Sequence, residues 1–265
     1  MVKIASNDID KYMNIQFLSN VSKNDIGLVG GKGASLGKLI SRGFAVPEGF
    51  IITTTAYQKF RNKTISESFK KELLSAFDQL HTDTVAVRSS AVSEDAHNAS
   101  WAGQFESYLN IHKQNLLDSI QKCWVSLHSR RVNTYAKNYN NTNKNVAMAV
   151  VVQKMVQSDV SGVLFTVNPL TKDTNEIVIE ACRGLGEKLV QGEIIPDSYS
   201  INKKTLQTKS KYISNQHSNL SDKQLRELAI LATKIEKYFQ RPQDIEWALQ
   251  KNEFAILQSR PITTL

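Results

Sequence analysis

The sequence is poor in the residues that mark several common kinds of protein. Cysteine occurs twice in 265 residues. Cys123 and Cys182 make no metal-ligand pattern and no disulfide framework, so both are expected to be reduced and structural. The histidines, His81, His97, His112, His128 and His217, are scattered without metal-ligand spacing. No catalytic triad or paired-acid hydrolase pattern is present. No apolar run approaches the ~20 residues of a membrane-spanning helix. The first residues lack the apolar core of a signal peptide, and a cytoplasmic location is expected. Internal repeats and low-complexity linkers are missing too. What remains, 41% hydrophobic and 22% charged residues, is ordinary for a globular chain. Its length suffices for one large domain or two lobes with a real core.

The formal net charge is +8. The densest basic groups, Lys70-Lys71, Arg130-Arg131 and Lys203-Lys204, are only pairs, and no basic stripe is interleaved with aromatics. A nucleic-acid surface is therefore poorly supported, although a basic nucleic-acid-binding module remains the reading from a different class. A polyphosphate ligand or an acidic partner suits the charge equally well.

The chain is organised around Gly30-Gly31-Lys32-Gly33-Ala34-Ser35-Leu36-Gly37. Its glycines let the backbone reach positive φ and approach a ligand closely. Leu36, Leu39 and Ile40 follow at helical spacing, predicting a short helix over 34–41. A donor-rich loop feeding a helix N-terminus, with a lysine in it, suits phosphate. It is not a P-loop, because Gly33 stands where Ser or Thr is required and Ile26 where the first glycine belongs. A plain tight turn is the alternative.

The rest of the first half reads as a strand at 15–18, a turn at Pro47 and Gly49, and a buried strand over 50–53. A helix over 56–61 follows, capped by Thr54 or Thr55, then a helix over 66–80. A β run, Thr84 to Val87, ends in Arg88-Ser89-Ser90 and leads into a small, polar, mobile loop over 93–104. A strand over 108–111, a long helix over 115–137 and an asparagine-rich loop over 138–145 complete it. The second half is β-rich: runs at 146–152, 162–167, 176–181 and 197–202. A helix over 221–239 has a Ser221/Gln224 capping box. Two closing strands, 243–249 and 253–260, form a hairpin.

Two fragments carry candidate chemistry. Arg88 at a strand end can fork onto a phosphate or pair with Glu94 or Asp95. In the hairpin, period-2 geometry puts Asp244 and Glu246 on one face, and Gln258 and Arg260 on one face of the partner strand. A carboxylate beside an amide oxygen suits Mg²⁺, which borrows phosphate oxygens, and an arginine there can neutralise phosphate. Taken alone, an exposed face with a cross-strand Glu–Arg pair is the simpler reading.

Together these pieces resemble the ATP-binding, ATP-grasp-like domain of the phosphohistidine dikinases, the family of phosphoenolpyruvate synthase, pyruvate phosphate dikinase and rifampicin phosphotransferase. The resemblance rests on Val29 to Gly37, Val46-Pro47-Glu48-Gly49-Phe50, Val87 to Ala91 and Ala102-Gly103-Gln104. It continues through Ser161 to Thr166, Gly184-Leu185-Gly186-Glu187, Asp244 to Trp247 and Gln258 to Pro261, in family order over nearly the whole chain. It implies a two-lobed α+β fold, with lobes 1–153 and 154–265 and ATP in the cleft. It implies that Lys32 and Arg88 hold the ATP phosphates and that Gly103 closes over them. Ser107 then stands at a small-hydroxyl position and Gln153 lies at the adenine side. Glu246 and Gln258 would carry Mg²⁺, and Arg260 the transferred phosphates.

The implied reaction passes the β-phosphoryl end of ATP to a histidine on a swivelling domain or separate chain, giving AMP, for a small-molecule acceptor such as pyruvate or an antibiotic. A non-catalytic nucleotide sensor is the alternative. The chain departs from the family pattern at Asn168 to Asp173, at Arg183 and in the short segment between Phe60 and Val85.

Overall fold

The computed structural model describes residues 13–22, 24–92, 106–127 and 147–263. Gly103, the loop expected over 93–104 and the loop expected over 138–145 lie outside them. The chain divides into two units, residues 1–42 with 47–155 and residues 43–46 with 156–265.

The first unit runs β1 (Ile15–Phe17), α1 (Ile26–Ile40), β2 (Gly49–Ile52), α2 (Thr54–Phe60), α3 (Glu67–Gln79), β3 (Thr84–Ala91), β4 (Ser107–His112), α4 (Leu116–Ser126) and β5 (Met148–Lys154). Its sheet is antiparallel in the order β1-β2-β5-β3-β4. Strand alternation sends Phe50, Ile52, Val85, Val87, Val150 and Val152 to one face. There they form a core with Tyr57, Phe69, Leu73 and Trp124 from the helices. Ile51, Val151 and Arg88 are neighbours in register on the opposite face, where Gly33 of α1 lies against Ile51.

Helix α1 begins at Ile26, eight residues before the expected start, so most of the expected glycine loop is helical. Gly30 breaks it with φ 71° and ψ 175°. A Cβ there would fall 2.1 Å from the Ser90 carbonyl oxygen, so both the backbone angle and the space require glycine. Helix α2 is capped by Thr53 rather than Thr54 or Thr55. The Thr53 Oγ1 accepts from the Ala56 N–H at 3.3 Å, while the Thr54 hydroxyl donates to the Gly27 carbonyl at 2.9 Å. Ser66 caps α3. Helix α4 buries Leu116, Ile120 and Trp124 as its periodicity predicts, and residues 128–137 of the helix expected there lie outside the described residues.

The second unit runs β6 (Val160–Phe165), β7 (Glu176–Arg183), α5 (Glu187–Val190), β8 (Asp197–Asn202), β9 (Thr208–Tyr212), α6 (Asp222–Phe239), β10 (Gln243–Gln250) and β11 (Glu253–Pro261). Its antiparallel sheet is ordered β11-β10-β6-β7-β8-β9. Helix α6, with the expected Ser221/Gln224 capping box, packs against β7 and β10 and buries Leu225, Leu228, Ala232 and Ile235. Strand β9 was not foreseen. It is exposed, carries Lys209 and Lys211, and has no apolar alternation, as suits a protected sheet edge. Lys251 and Asn252 join β10 to β11 with φ 50° and 66°, the signs of a type I′ hairpin turn.

The departure at Asn168 to Asp173 has a local cause. The Asn168 side-chain oxygen accepts from the Leu170 and Thr171 N–H groups at 2.9 and 3.1 Å, an Asx turn. Asp197, fully buried, fastens β8 to the segment before α6. It accepts from the Ser214 and Asn219 N–H groups and from the Ser214, Asn219 and Tyr199 side chains. Burial pushes its carboxyl up, but those donors outweigh it and hold the group below the usual carboxylate range.

Candidate functional site

In the first unit, cross-strand pairing decides which nominated residues share a face. Arg88 on β3 pairs with Ser107 on β4 and with Val151 on β5, and Gln153 lies two residues beyond Val151 on the same side. Arg88, Ser107 and Gln153 therefore occupy one sheet face, the face on which α1 brings Lys32. Lys32 and Arg88 are half-buried and Ser107 is exposed. Gln153 is buried, and its Nε2 donates to the Pro47 carbonyl at 3.2 Å. Ser90, two residues past Arg88 on β3, accepts from the Gly33 N–H at 3.1 Å and donates to the Val29 carbonyl at 2.8 Å.

Both cysteines are free and buried. Burial pushes the Cys123 thiol up to about 12 and raises that of Cys182 as well, which disfavours the reactive thiolate at both.

In the second unit the hairpin brings the expected groups together. Glu246 pairs with Gln258, and Asp244 with Arg260. A β-bulge makes this possible. Register shifts after Glu246, so that Trp247 pairs with Ile256 and Leu257 is the extra residue. Without that extra residue Ile256 and Gln258 would share a face; with it, Ile256 joins the α6 side and Gln258 faces the carboxylates. Asp244 Oδ2 accepts from Arg260 Nε at 2.8 Å and from Nη2 at 2.6 Å, which aligns the guanidinium.

Gln258 is 5% exposed, and its Oε1 is a buried acceptor with no hydrogen-bond partner among the described residues. A buried carbonyl oxygen left unpaired costs about 1–3 kcal/mol. Here it lies in register with a carboxylate, as a hard-oxygen pair for a divalent cation requires. Among the described residues no group of three or more His, Cys, Asp or Glu has metal-holding geometry. Glu246 and Gln258 would offer Mg²⁺ a carboxylate and an amide oxygen, the hard-oxygen donors it prefers.

Of two further residues on this face, Asp244 is placed there by the sequence but given no role, and Glu180 is not singled out by it. Asp244 shares the period of Glu246. Glu180 on β7 aligns with Glu246 through Val163 of β6. Burial pushes the carboxyl of Glu180 up, and the charge of Asp244 adds to it. Burial also raises Asp244, with Glu246 adding and the Arg260 guanidinium opposing. Strand alternation alone would have placed Glu180 on the outward face of 176–181, but its alignment with β10 needed the strand order.

Residues 26–78, 58–219 and 214–265 match the sequence profile of the family described as the pyruvate phosphate dikinase AMP/ATP-binding domain. The chain belongs to that family. Curated relatives of this dikinase-domain chain include a probable phosphoenolpyruvate synthase of Methanocaldococcus jannaschii, 35% identical over all of this chain and 28% of that one. Another is a rifampicin phosphotransferase of Bacillus cereus, 35% identical over 92% of this chain and 35% of that one. The dikinase-domain chain thus spans about a third of the length of these relatives. A solved structure of D-alanine–D-alanine ligase from Bacillus anthracis aligns with TM-score 0.43 at 7% identity, over 88% of this chain and 57% of that one. Two antiparallel sheets with flanking helices are what the described residues form, an α+β fold. No described helix is long and apolar enough to cross a membrane.

Proposed function

We propose that this chain binds Mg·ATP and serves as the nucleotide end of a dikinase reaction, delivering the β-phosphoryl end of ATP to a histidine on another domain or chain. The reading is supported most by the Glu246–Gln258 pair, a carboxylate in register with a buried, unsatisfied amide oxygen next to an oriented Arg260. In it, Lys32 and Arg88 bind the phosphates. Gly103, outside the described residues, is assigned to closing over them, Ser107 to a small-hydroxyl position and Gln153 to the adenine side. Glu246 and Gln258 hold Mg²⁺, and Arg260 contacts the phosphates being transferred. Bound there, Mg²⁺ supplies neutralisation of phosphate charge.

In this reading the attacking nitrogen belongs to another domain or chain, so this chain's own part is positioning and electrostatics. The histidine nitrogen forms a bond to the β-phosphorus, the bond from that phosphorus to the α,β-bridging oxygen breaks, and AMP leaves. The acceptor is a small molecule, pyruvate or an antibiotic in the named relatives' chemistry, and the compartment is the cytoplasm.

The experiment mixes the protein with ATP, Mg²⁺ and a histidine-bearing swivel domain and looks for AMP. AMP is expected only when all three are present. Tight ATP binding with no AMP across a panel of such domains would instead favour a nucleotide sensor. Lys32→Ala and Arg88→Ala each should weaken ATP binding at least about tenfold, the loss of one charge-assisted contact, with little change in Tm. A collapse of Tm with unchanged ATP affinity per folded molecule would make either residue structural.

A further inference from the structure

Hydrogen-bond accounting in α1 singles out Ser90. In an unbroken helix the Gly33 N–H would donate to the Val29 carbonyl, four residues back. Here both groups bond to one hydroxyl from another element: Gly33 N–H donates to Ser90 Oγ at 3.1 Å, and Ser90 Oγ donates to the Val29 carbonyl at 2.8 Å. The hydroxyl is inserted into the helical ladder, a recognised cause of a kink. The break falls at Gly30, whose φ is 71° and whose missing Cβ lets the Ser90 backbone approach. Ser90 is fully buried, so no water competes for these bonds.

The interrupted pair, Val29 and Gly33, brackets Gly30, Gly31 and Lys32. Ser90 is also two residues from Arg88 on the same face of β3, about 6.8 Å along the strand. One short segment of β3 thus carries both an arginine and the wedge that sets the backbone around the lysine. The adjacent Ser89 does something else: its hydroxyl donates to the Glu106 carbonyl at 2.9 Å.

We infer that Ser90 is a positioning residue for Lys32: its hydroxyl holds α1 kinked and so fixes the lysine relative to Arg88 for contact with the ATP phosphates. The inference rests on the nucleotide reading above for the ligand, and on geometry alone for the placement of Lys32. Removal of the hydroxyl leaves the Val29 carbonyl and Gly33 N–H to close on each other, which straightens the helix and turns Lys32 away.

The test compares Ser90→Ala, Ser90→Thr and Lys32→Ala with the parent by calorimetric ATP titration, and measures amine-reagent labelling of Lys32 by mass spectrometry without nucleotide. Ser90→Ala is expected to lose about tenfold in ATP affinity and to change the Lys32 labelling rate relative to Lys59 and Lys113. Ser90→Thr, which keeps the hydroxyl, should restore both. Ser90→Ala combined with Lys32→Ala should bind no worse than Lys32→Ala alone, because the serine acts through the lysine. Unchanged Lys32 labelling in Ser90→Ala, or additive losses in the double variant, would overturn the inference. If Ser90→Ala does not fold, the Ser90→Thr labelling decides: a parent-like rate supports the hydroxyl wedge, and an altered rate contradicts it. A parent that binds no ATP would overturn the function proposed above and leave Lys32 labelling to decide the role of Ser90.

Discussion

Arg260 shows how much of this protein's chemistry is set by single contacts. Its guanidinium is held by one oxygen of Asp244 from two nitrogens, so its direction is fixed before any ligand arrives. Asp244→Ala should therefore weaken Mg·ATP binding about as much as Arg260→Ala. The double variant should lose little more than either, because the two act as a unit. Independent, additive losses in calorimetry would separate them.

Glu176 makes a different point. Lys209, Ser200 and Asn168 donate to its carboxylate and hold it down to about 2. Its folded value lies below its unfolded one, so it contributes stability above the ordinary carboxylate pKa and loses it as pH falls toward 2. Discounted for the half-exposed Lys209, that contribution is about 1–2 kcal/mol. Glu176→Gln should be less stable than the parent at pH 7, and the gap should close between about pH 5 and pH 2. A gap that stays constant over that range in thermal melts would assign the cost to packing.

At the scale of elements, legibility followed periodicity. Helix α6 was readable because its cap, its capping-box glutamine and its apolar stripe all agree. Strands β5 and β7 were readable from their apolar runs. The failures have local physical causes. The glycines suggest a loop, whereas Gly31 and Gly33 are helical and the break falls at Gly30, where the Ser90 hydroxyl takes the Val29 carbonyl and the Gly33 N–H. The bulge at Leu257 is invisible to period-2 counting, which from the turn would set Glu246 opposite Leu257; the extra residue is what brings Gln258 opposite Glu246. Edge strand β9 has no apolar face to signal it.

Gly162 is an element-scale constraint of the same kind. It lies on β6 opposite Trp247, and a Cβ there would sit 1.9 Å from the Glu180 carbonyl oxygen and 2.7 Å from the Trp247 ring. Gly162→Ala should cost about 2 kcal/mol or more through forced displacement of β6 from β7 and β10. Denaturant melts should show the loss, and an unchanged midpoint would mean the sheet yields easily there.

For the molecule as a whole, each unit carries its nominated polar side chains on one sheet face, a face that in the first unit also packs the buried Ile51 and Val151 against α1. Lys32, Arg88, Ser107 and Gln153 belong to the chemical face of the first unit. Asp244, Glu246, Gln258, Arg260 and Glu180 belong to that of the second. The family resemblance named most of these from sequence, since motif residues stand at fixed spacings. It did not show what holds them: Asp244 orients Arg260, and the bulge sets Gln258 opposite Glu246.

Lys203, Lys209 and Lys211 each pair with a carboxylate, which leaves the net charge of +8 unchanged but occupies those side chains. Such pairing leaves those lysines less suited to a nucleic-acid surface.

The central proposal is that both sets of side chains act on one Mg·ATP. Calorimetric titration of ATP across a Mg²⁺ series, with the parent, Lys32→Ala and Glu246→Gln, tests it most directly. One ATP per chain is predicted, with affinity that rises with Mg²⁺ in the parent. Lys32→Ala should weaken that single binding event, and Glu246→Gln should flatten its Mg²⁺ response. Two independent binding events, or a Glu246→Gln protein whose ATP affinity follows Mg²⁺ as the parent's does, would contradict the account.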